Sequence, residues 1–275
     1  MHIKSVAPAA SLIACVFAQK EGRLQLKPEN VQTASSATGQ GTTSGPNQIE
    51  STADSANFIN YCSGKTLTNG QQVKTGSCNG IVMGDLPSQS QMVSTVILSP
   101  KPGENIPANQ PLAITLRVSN LTPGKFTAPY GSYYTAPQQL SSDGTVQGHI
   151  HITVQNMGDS LTPTQPLDAS KFVYFKGVND VGDGKGLLSA TFEKGLEKGY
   201  YRVCSMNSAM NHQPVLMPVA QRGSQDDCTK FSVGIEAESY RTDLKVVKDQ
   251  EPSEKMFYVG LFPSYLSALC ERGRF

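Results

Sequence analysis

The strongest constraint on the fold is a series of short segments in which apolar and polar residues alternate. Between 112 and 118, leucine, isoleucine and valine occupy every second position, which is the period of a β-strand with one buried face. Similar apolar runs of strand length lie at 92–98, 148–155, 172–175, 187–192, 199–205 and 229–233. Short strands separated by Pro-, Gly- and Asn-rich turns predict an all-β, Ig-like β-sandwich over residues 57–234.

The regions on either side of this domain have different compositions. Residues 19–56 are rich in Ser, Thr, Gly and Gln and contain few large apolar side chains, so they cannot offset their ordering entropy. We predict a disordered spacer there, and a simple flexible terminus is an equal interpretation. Residues 235–275 are rich in Lys, Arg, Asp and Glu and contain Cys270, which predicts a charged tail outside the sandwich.

The first 18 residues have the pattern of a secretory signal peptide. Lys4 supplies a basic start, a mostly small and apolar run follows, and Val16 and Ala18 provide small residues at positions −3 and −1. This pattern predicts cleavage after Ala18 and a protein that is secreted, either extracellular or in the cell wall. No other segment approaches the ~20 apolar residues that a membrane helix needs, so we predict no membrane span.

The cysteines and one sequon agree with secretion. Cys15 leaves with the signal peptide, and four of the remaining cysteines form two sequence-local pairs, Cys62 with Cys78 and Cys204 with Cys228. Four cysteines allow three connectivities; the local one is favoured because each pair brackets a Gly/Asn/Ser-rich turn region. The sequon that begins at Asn120 predicts N-glycosylation.

The low net charge and the lack of recognisable catalytic motifs argue against some classes of function. The net charge is +1 and only 16% of residues are charged, which gives no electrostatic footprint for nucleic acid. There is no Gly-x-Ser-x-Gly elbow, and nothing singles out a pair of carboxylates. The sequence therefore leans away from an enzyme.

Two histidines form the sharpest candidate site. His149 and His151 lie two residues apart on a predicted strand, so their side chains project from the face opposite Ile150 and Ile152. Neutral imidazoles in this arrangement commonly begin a copper or zinc site. His212, the only other histidine of the predicted mature chain, would complete a three-nitrogen set. The more frequent interpretation is a polar face in which histidines hydrogen-bond their neighbours.

A tyrosine-rich loop is the other notable feature. Tyr130, Tyr133 and Tyr134 lie between Pro129 and Pro137. Exposed aromatic side chains can stack on sugar rings or anchor an interface. The chain has no Trp, which weakens a carbohydrate-binding assignment, so tyrosine packing at a sandwich edge is the favoured interpretation.

Distinctive sequence blocks lie between residues 57 and 234. The longest are FINYCSGKTLTNG from Phe58, GHIHITVQ from Gly148 and NHQPVLMPVAQRG from Asn211, with shorter blocks at 76–88, 175–179, 201–205 and 226–228. Together they resemble a widespread family of small secreted fungal proteins of uncharacterised function. The resemblance implies a secreted fungal protein and supplies no catalytic residues.

Two hypotheses of function follow. The leading one is a non-enzymatic secreted or cell-wall-associated fungal protein that binds a cell-wall or host-surface component, with virulence as a candidate role. The alternative is a secreted copper- or zinc-binding protein that uses His149, His151 and His212. The distances between the three imidazoles distinguish them, because a remote His212 would remove the metal hypothesis. The sequence leaves the ligand and the oligomeric state open.

Overall fold

The computed structural model describes residues 25–38 and 51–236. The predicted signal peptide, residues 19–24 and 39–50 of the predicted spacer, and residues 237–275 with Cys270 lie outside this part of the chain. Within the described residues, no helix is long and apolar enough to cross a membrane.

The described residues contain nine strands and three short 3₁₀ helices, and no α-helix. The strands are β1 (Ser94–Ser99), β2 (Asn105–Ile106), β3 (Leu112–Ser119), β4 (Leu121–Thr122), β5 (Val146–Asn156), β6 (Tyr174–Val178), β7 (Leu187–Phe192), β8 (Gly199–Ala209) and β9 (Cys228–Val233). The 3₁₀ helices are Pro28–Asn30, Thr33–Ser36 and Gln89–Gln91. Each apolar run of the sequence overlaps one of the seven longer strands, although the run at 172–175 shares only two residues with β6. The all-β prediction is confirmed.

The strands form two sheets. One has the order β1-β3-β7, and the other has the order β2-β9-β8-β5-β4 with β6 also paired to β5. If β1, β3, β5, β7, β8 and β9 are taken as A, B, C, E, F and G, these are the A-B-E and C-F-G groupings of an immunoglobulin sandwich. The Ig-like prediction is therefore confirmed by strand order.

The core lies between the two sheets. Its residues come from the inward faces of both, with Ile114 and Leu116 on β3, Ile150 and Ile152 on β5, and Phe231 on β9, all without solvent exposure. In β3 the burial pattern alternates strictly along the strand. The period-2 apolar pattern thus determines which face of each strand packs inward.

A tyrosine fixes the entry into β8. The Tyr201 hydroxyl donates a hydrogen bond to the carbonyl of Glu197, at 3.0 Å, and the residue is 3% exposed. A tyrosine near the start of strand F that bonds back to upstream backbone is a hallmark of Ig-like sandwiches. This hydrogen bond helps to position β8, the strand that pairs with the histidine-bearing strand β5.

Two disulfides join the sequence-local pairs, Cys62–Cys78 and Cys204–Cys228. The second links facing positions of β8 and β9, whereas the first closes a loop that precedes β1. Loops of this length contribute about 3 kcal/mol each by the chain-entropy account. The connectivity is the one that the turn-rich spacing favoured.

The segment before β1 braces the loop between β4 and β5. The carbonyl of Gly70 accepts hydrogen bonds from the amides of Gly131 and Tyr133. Gly70 has φ +75°, and an added Cβ would lie 2.3 Å from the carbonyl oxygen of Gly131. A glycine is therefore required where these two segments meet.

The described parts of the predicted spacer form short turns and make hydrogen bonds to the start of the predicted sandwich domain. Residues 28–30 and 33–36 form 3₁₀ turns, and the side chain of Asn57 bonds both the amide and the carbonyl of Gln32. The boundaries assigned from sequence to the spacer, the sandwich domain and the tail remain predictions.

Candidate metal centre

Two strands and a turn bring the three histidines together. His149 and His151 lie on β5, where the register with β8 places them opposite Ser208 and Met206. His212 lies in the turn that follows β8, with φ 73°, and its amide donates to the carbonyl of Ala209. Left-handed backbone is uncommon for residues other than glycine, although histidine is among those that tolerate it. This conformation returns the His212 ring towards β5.

The three imidazoles converge. Their candidate ligand nitrogens all lie within 4.8 Å of one another, and His149 Nε2 is 3.1 Å from His212 Nδ1. The ring of His149 is nearly perpendicular to those of His151 and His212, while the latter two are nearly parallel. His212 therefore lies beside the strand pair, as the metal hypothesis requires.

Backbone carbonyls fix the tautomers of two rings. His149 Nδ1 lies 3.2 Å from the carbonyl oxygen of Lys125, and His212 Nε2 lies 2.8 Å from that of Thr127. Because a carbonyl oxygen only accepts, both of these nitrogens carry the proton. In neutral rings the two nitrogens that face each other at 3.1 Å then both present lone pairs. Two facing lone pairs repel unless a cation lies between them.

Burial favours the neutral form of the strand histidines. His149 has no solvent exposure; burial, with His151 and His212 as further contributions, lowers its pKa to about 4. Burial and the neighbouring His212 likewise lower the pKa of His151 to about 4. Both rings are therefore neutral at pH 7, the protonation state in which imidazole binds a metal.

A loop covers the histidine face. The strand pattern correctly places the pair opposite the core, but His149 is fully buried rather than on an open polar face. The β4–β5 loop supplies the carbonyls of Lys125 and Thr127, and the rings of Phe126 and Tyr133 pack on His149 and His212. Sequence reasoning missed the two carbonyls because every residue carries one, so no side-chain pattern marks them.

A cleft of about 660 Å³ opens beside the cluster. Aromatic side chains, two of the three histidines, a serine and a methionine line it. These residues include Phe126, Tyr130, Tyr133, Tyr134, His151, Phe175, Met206, Ser208 and His212. Tyr133 and Tyr134 stack on each other with ring centroids 4.0 Å apart. Burial is the main cause that raises the pKa of Tyr134, so its hydroxyl stays protonated. The volume suits a small molecule.

Asn120 already uses its side chain within the fold. Its Nδ2 donates to the carbonyl of Met92 at 2.8 Å, and its backbone has φ 60°. A glycan on Nδ2 would have to share or replace this hydrogen bond. Glycosylation of Asn120 remains a prediction.

Comparisons with known proteins place the chain in a fungal context. "Pathogenicity cluster 5 protein d" of Colletotrichum graminicola is 56% identical over 212 residues, which cover 77% of this chain and 44% of that relative. The chain thus spans less than half of the relative's length.

Among solved structures, the chain is similar to one described as "Structures of Clostridium thermocellum CbhA fibronectin(III)-like modules". The TM-score is 0.25 at 10% identity, over 52% of this chain and 46% of that one. The fold assignment rests instead on the strand order given above.

A family model agrees with the fungal relative. The description of this model is the CLU5d N-terminal domain, and it matches residues 95–234, a range that contains every strand from β2 to β9 and all three clustered histidines. The chain therefore belongs to the CLU5d N-terminal domain family.

Proposed function

We propose that this chain is a secreted fungal metal-binding protein that holds copper or zinc on His149, His151 and His212. The observation that carries the proposal is the 3.1 Å distance between His149 Nε2 and His212 Nδ1. The other nitrogen of each ring donates a hydrogen bond to a backbone carbonyl. That arrangement aims two lone pairs at one point, and a metal ion is the cation that such a point accommodates best.

The competing cation is a proton shared between the two rings. A shared proton requires an imidazolium inside a buried cluster, and burial together with the neighbouring rings lowers the pKa of His149 to about 4. A proton carried by His149 would therefore be lost at the pH of most extracellular fluids. A metal ion bound to three neutral imidazoles keeps the same hydrogen bonds to Lys125 and Thr127.

The dimensions of the cluster suit a first-row metal. With metal–nitrogen bonds of about 2.0–2.1 Å, neighbouring nitrogens of a tetrahedral site lie about 3.3–3.4 Å apart. The His149–His212 separation is 3.1 Å, and no separation in the set exceeds 4.8 Å. Histidine ligands usually donate their second nitrogen to a carbonyl or carboxylate, and Lys125 and Thr127 supply such carbonyls here.

The biological setting follows from the relative and the disulfides. The relative's name associates that protein with pathogenicity. Two disulfides suit an oxidising extracellular compartment. We therefore place the proposed metal binding outside the cell, at the fungal wall or the host surface, where it would serve virulence.

Titration of the metal-free full chain with Zn²⁺ and with Cu²⁺ tests the proposal. We expect one equivalent to bind, and His212→Asn to weaken binding by at least about 100-fold, because losing only a second-shell partner already costs 10–100-fold. Asparagine tolerates the left-handed backbone of position 212, so this variant should fold.

Asn179→Ala is the matched control, since Asn179 lines the same cleft and offers no imidazole. A folded wild-type chain that binds neither ion more tightly than millimolar would overturn the metal proposal. Equal affinity of wild type and His212→Asn would overturn the assignment of the ligands.

Surface binding without metal is the second candidate function. The segment before β1 exposes large apolar side chains, with Val82 74% and Met83 67% exposed. Exposed apolar side chains are common at interaction sites. Retention of the chain on wall polysaccharides or host-surface extracts, lost in Val82→Ser/Met83→Ser, would support this function, and no retention on any of them would remove it.

A further inference from the structure

We infer that Met206 is a fourth ligand and that the site is selective for copper, bound as Cu⁺, over zinc. This inference rests on the proposed function and deepens it. It starts from the pairing of β5 with β8, which brings Met206 next to His151. The spacing of the histidines in the sequence gives no indication of Met206.

The register places a thioether beside the imidazoles. β5 and β8 are antiparallel, and His151 is directly opposite Met206. Directly opposite residues point to the same face of a sheet, with Cβ atoms about 4.5–5.5 Å apart. Met206 therefore lies on the histidine face, next to His151.

Met206 is accessible where most of its neighbours on β8 are buried. It is 37% exposed, whereas Ser205 and Asn207 are each 2% exposed. It lines the same cleft as His151 and His212. A long flexible side chain in this position can reach a metal held by the three nitrogens, and it is not committed to the core.

Among the residues that the structure describes, no carboxylate of the cleft joins the three imidazoles within ligand distance. Asp226 is the only carboxylate among its lining residues, and that carboxylate accepts hydrogen bonds from the amide and side chain of Asn207. The nearest thiols on these strands, Cys204 and Cys228, are joined in a disulfide.

The available donors are therefore three imidazole nitrogens and one thioether, all neutral. A neutral donor set leaves the whole charge of the ion in a partly buried site. The Born cost of that charge grows with its square, so a divalent ion costs roughly four times as much as a monovalent one. A thioether sulfur is also a soft donor, which favours the soft ion Cu⁺. Charge and ligand softness point to the same ion.

The test compares Cu⁺ with Zn²⁺ in the full chain. Metal-free protein is titrated anaerobically with Cu⁺ in competition with a chromogenic Cu⁺ chelator, and with Zn²⁺ in a separate experiment. We expect Met206→Leu, which nearly conserves volume, to weaken Cu⁺ binding by at least tenfold and to change Zn²⁺ binding by less than threefold. Met217→Leu makes the same change at a methionine that packs against the core and does not line the cleft.

Selenomethionine labelling gives a second readout that identifies the ligand directly. X-ray absorption at the copper edge should show one copper–selenium distance in the labelled wild type and in Met217→Leu, and none in Met206→Leu. Met206→Gln, which keeps the side-chain length without sulfur, should behave like Met206→Leu, so a folding defect of one variant does not decide the result.

The outcomes separate this inference from the proposed function. Unchanged Cu⁺ affinity in both Met206 variants, with no copper–selenium distance in the wild type, would overturn the role of Met206 and leave the three-histidine site standing. Tighter Zn²⁺ than Cu⁺ binding by the wild type would overturn copper selectivity. Failure of the wild type to bind either ion would overturn the proposed function itself.

Discussion

The two faces of β5 show how one strand serves two purposes. Towards the other sheet it presents Ile150, Ile152 and Val154, which are fully buried in a continuous apolar core. On the opposite face it presents His149 and His151, covered by the β4–β5 loop and by the turn that carries His212. The first face is organised by packing, the second by hydrogen bonds to backbone carbonyls and by converging lone pairs. Changes on the first face should therefore affect folding, and changes on the second should affect binding.

The largest expected effect is on the core face. Ile152→Ala should lower the free energy of unfolding by about 2–5 kcal/mol, because it removes buried methyl groups and leaves a cavity. Urea denaturation measures this loss, and metal affinity measured on the folded fraction should stay close to that of the wild type. A large loss of affinity with little loss of stability would show that the two faces are not separable in this way.

Acid should destabilise the metal-free chain through the histidine face. The pKa of His149 is about 4 in the folded state against about 6.5 when unfolded, so the unfolded state binds protons more readily between these values. The stabilisation from the neutral ring is complete above pH 6.5 and is lost as pH falls through 4, a change of about 3 kcal/mol for a shift of this size.

Urea denaturation of the metal-free chain at a series of pH values measures that slope. His149→Gln, which cannot titrate, should show a shallower decline between pH 6.5 and 4 than the wild type. Equal slopes in the two proteins would contradict the assignment of the pKa shift to this residue.

Metal loading should stabilise the chain by a similar amount. At a free metal concentration 100 times the Kd, binding adds about 2.7 kcal/mol to the free energy of unfolding. Thermal or urea unfolding with and without the ion measures the gain, which a chelator should reverse. His212→Asn should show almost no gain, and an undiminished gain in that variant would place the bound ion elsewhere.

The smallest expected effect concerns the loop that covers the histidines. Tyr133 packs on His212 with ring centroids 6.0 Å apart, and aromatic pairs of this kind contribute about 0.5–1.5 kcal/mol. Tyr133→Leu should lower metal affinity several-fold by loosening the His212 ring, with a minor change in the unfolding midpoint. An affinity equal to that of the wild type would show that the turn alone positions His212.

The same comparison explains what could be predicted from sequence. Alternation in segments such as 112–118 and 148–155 identifies the strands, because burial on one face imposes a period of two. The two-residue strands β2 and β4 are too short to show a period and were not predicted. The His149–His151 pair was found by the same alternation, since polar residues at strand spacing share a face.

The rest of the site depends on long-range placement. The position of His212 follows from a left-handed turn after β8, and the carbonyls of Lys125 and Thr127 come from a loop with no side-chain signature. Met206 gains its significance only from its register with His151. None of these relations is encoded in local spacing, because each joins residues that only the folded sheet brings together.

Metal content of the protein as its native host produces it tests the central claim most directly. Elemental analysis of protein purified from culture without added metal should find close to one equivalent of copper or zinc per wild-type chain, and less than a tenth of an equivalent in His212→Asn prepared in parallel. Wild-type protein with no more metal than the variant, while it remains folded and unable to take up either ion, would contradict the account.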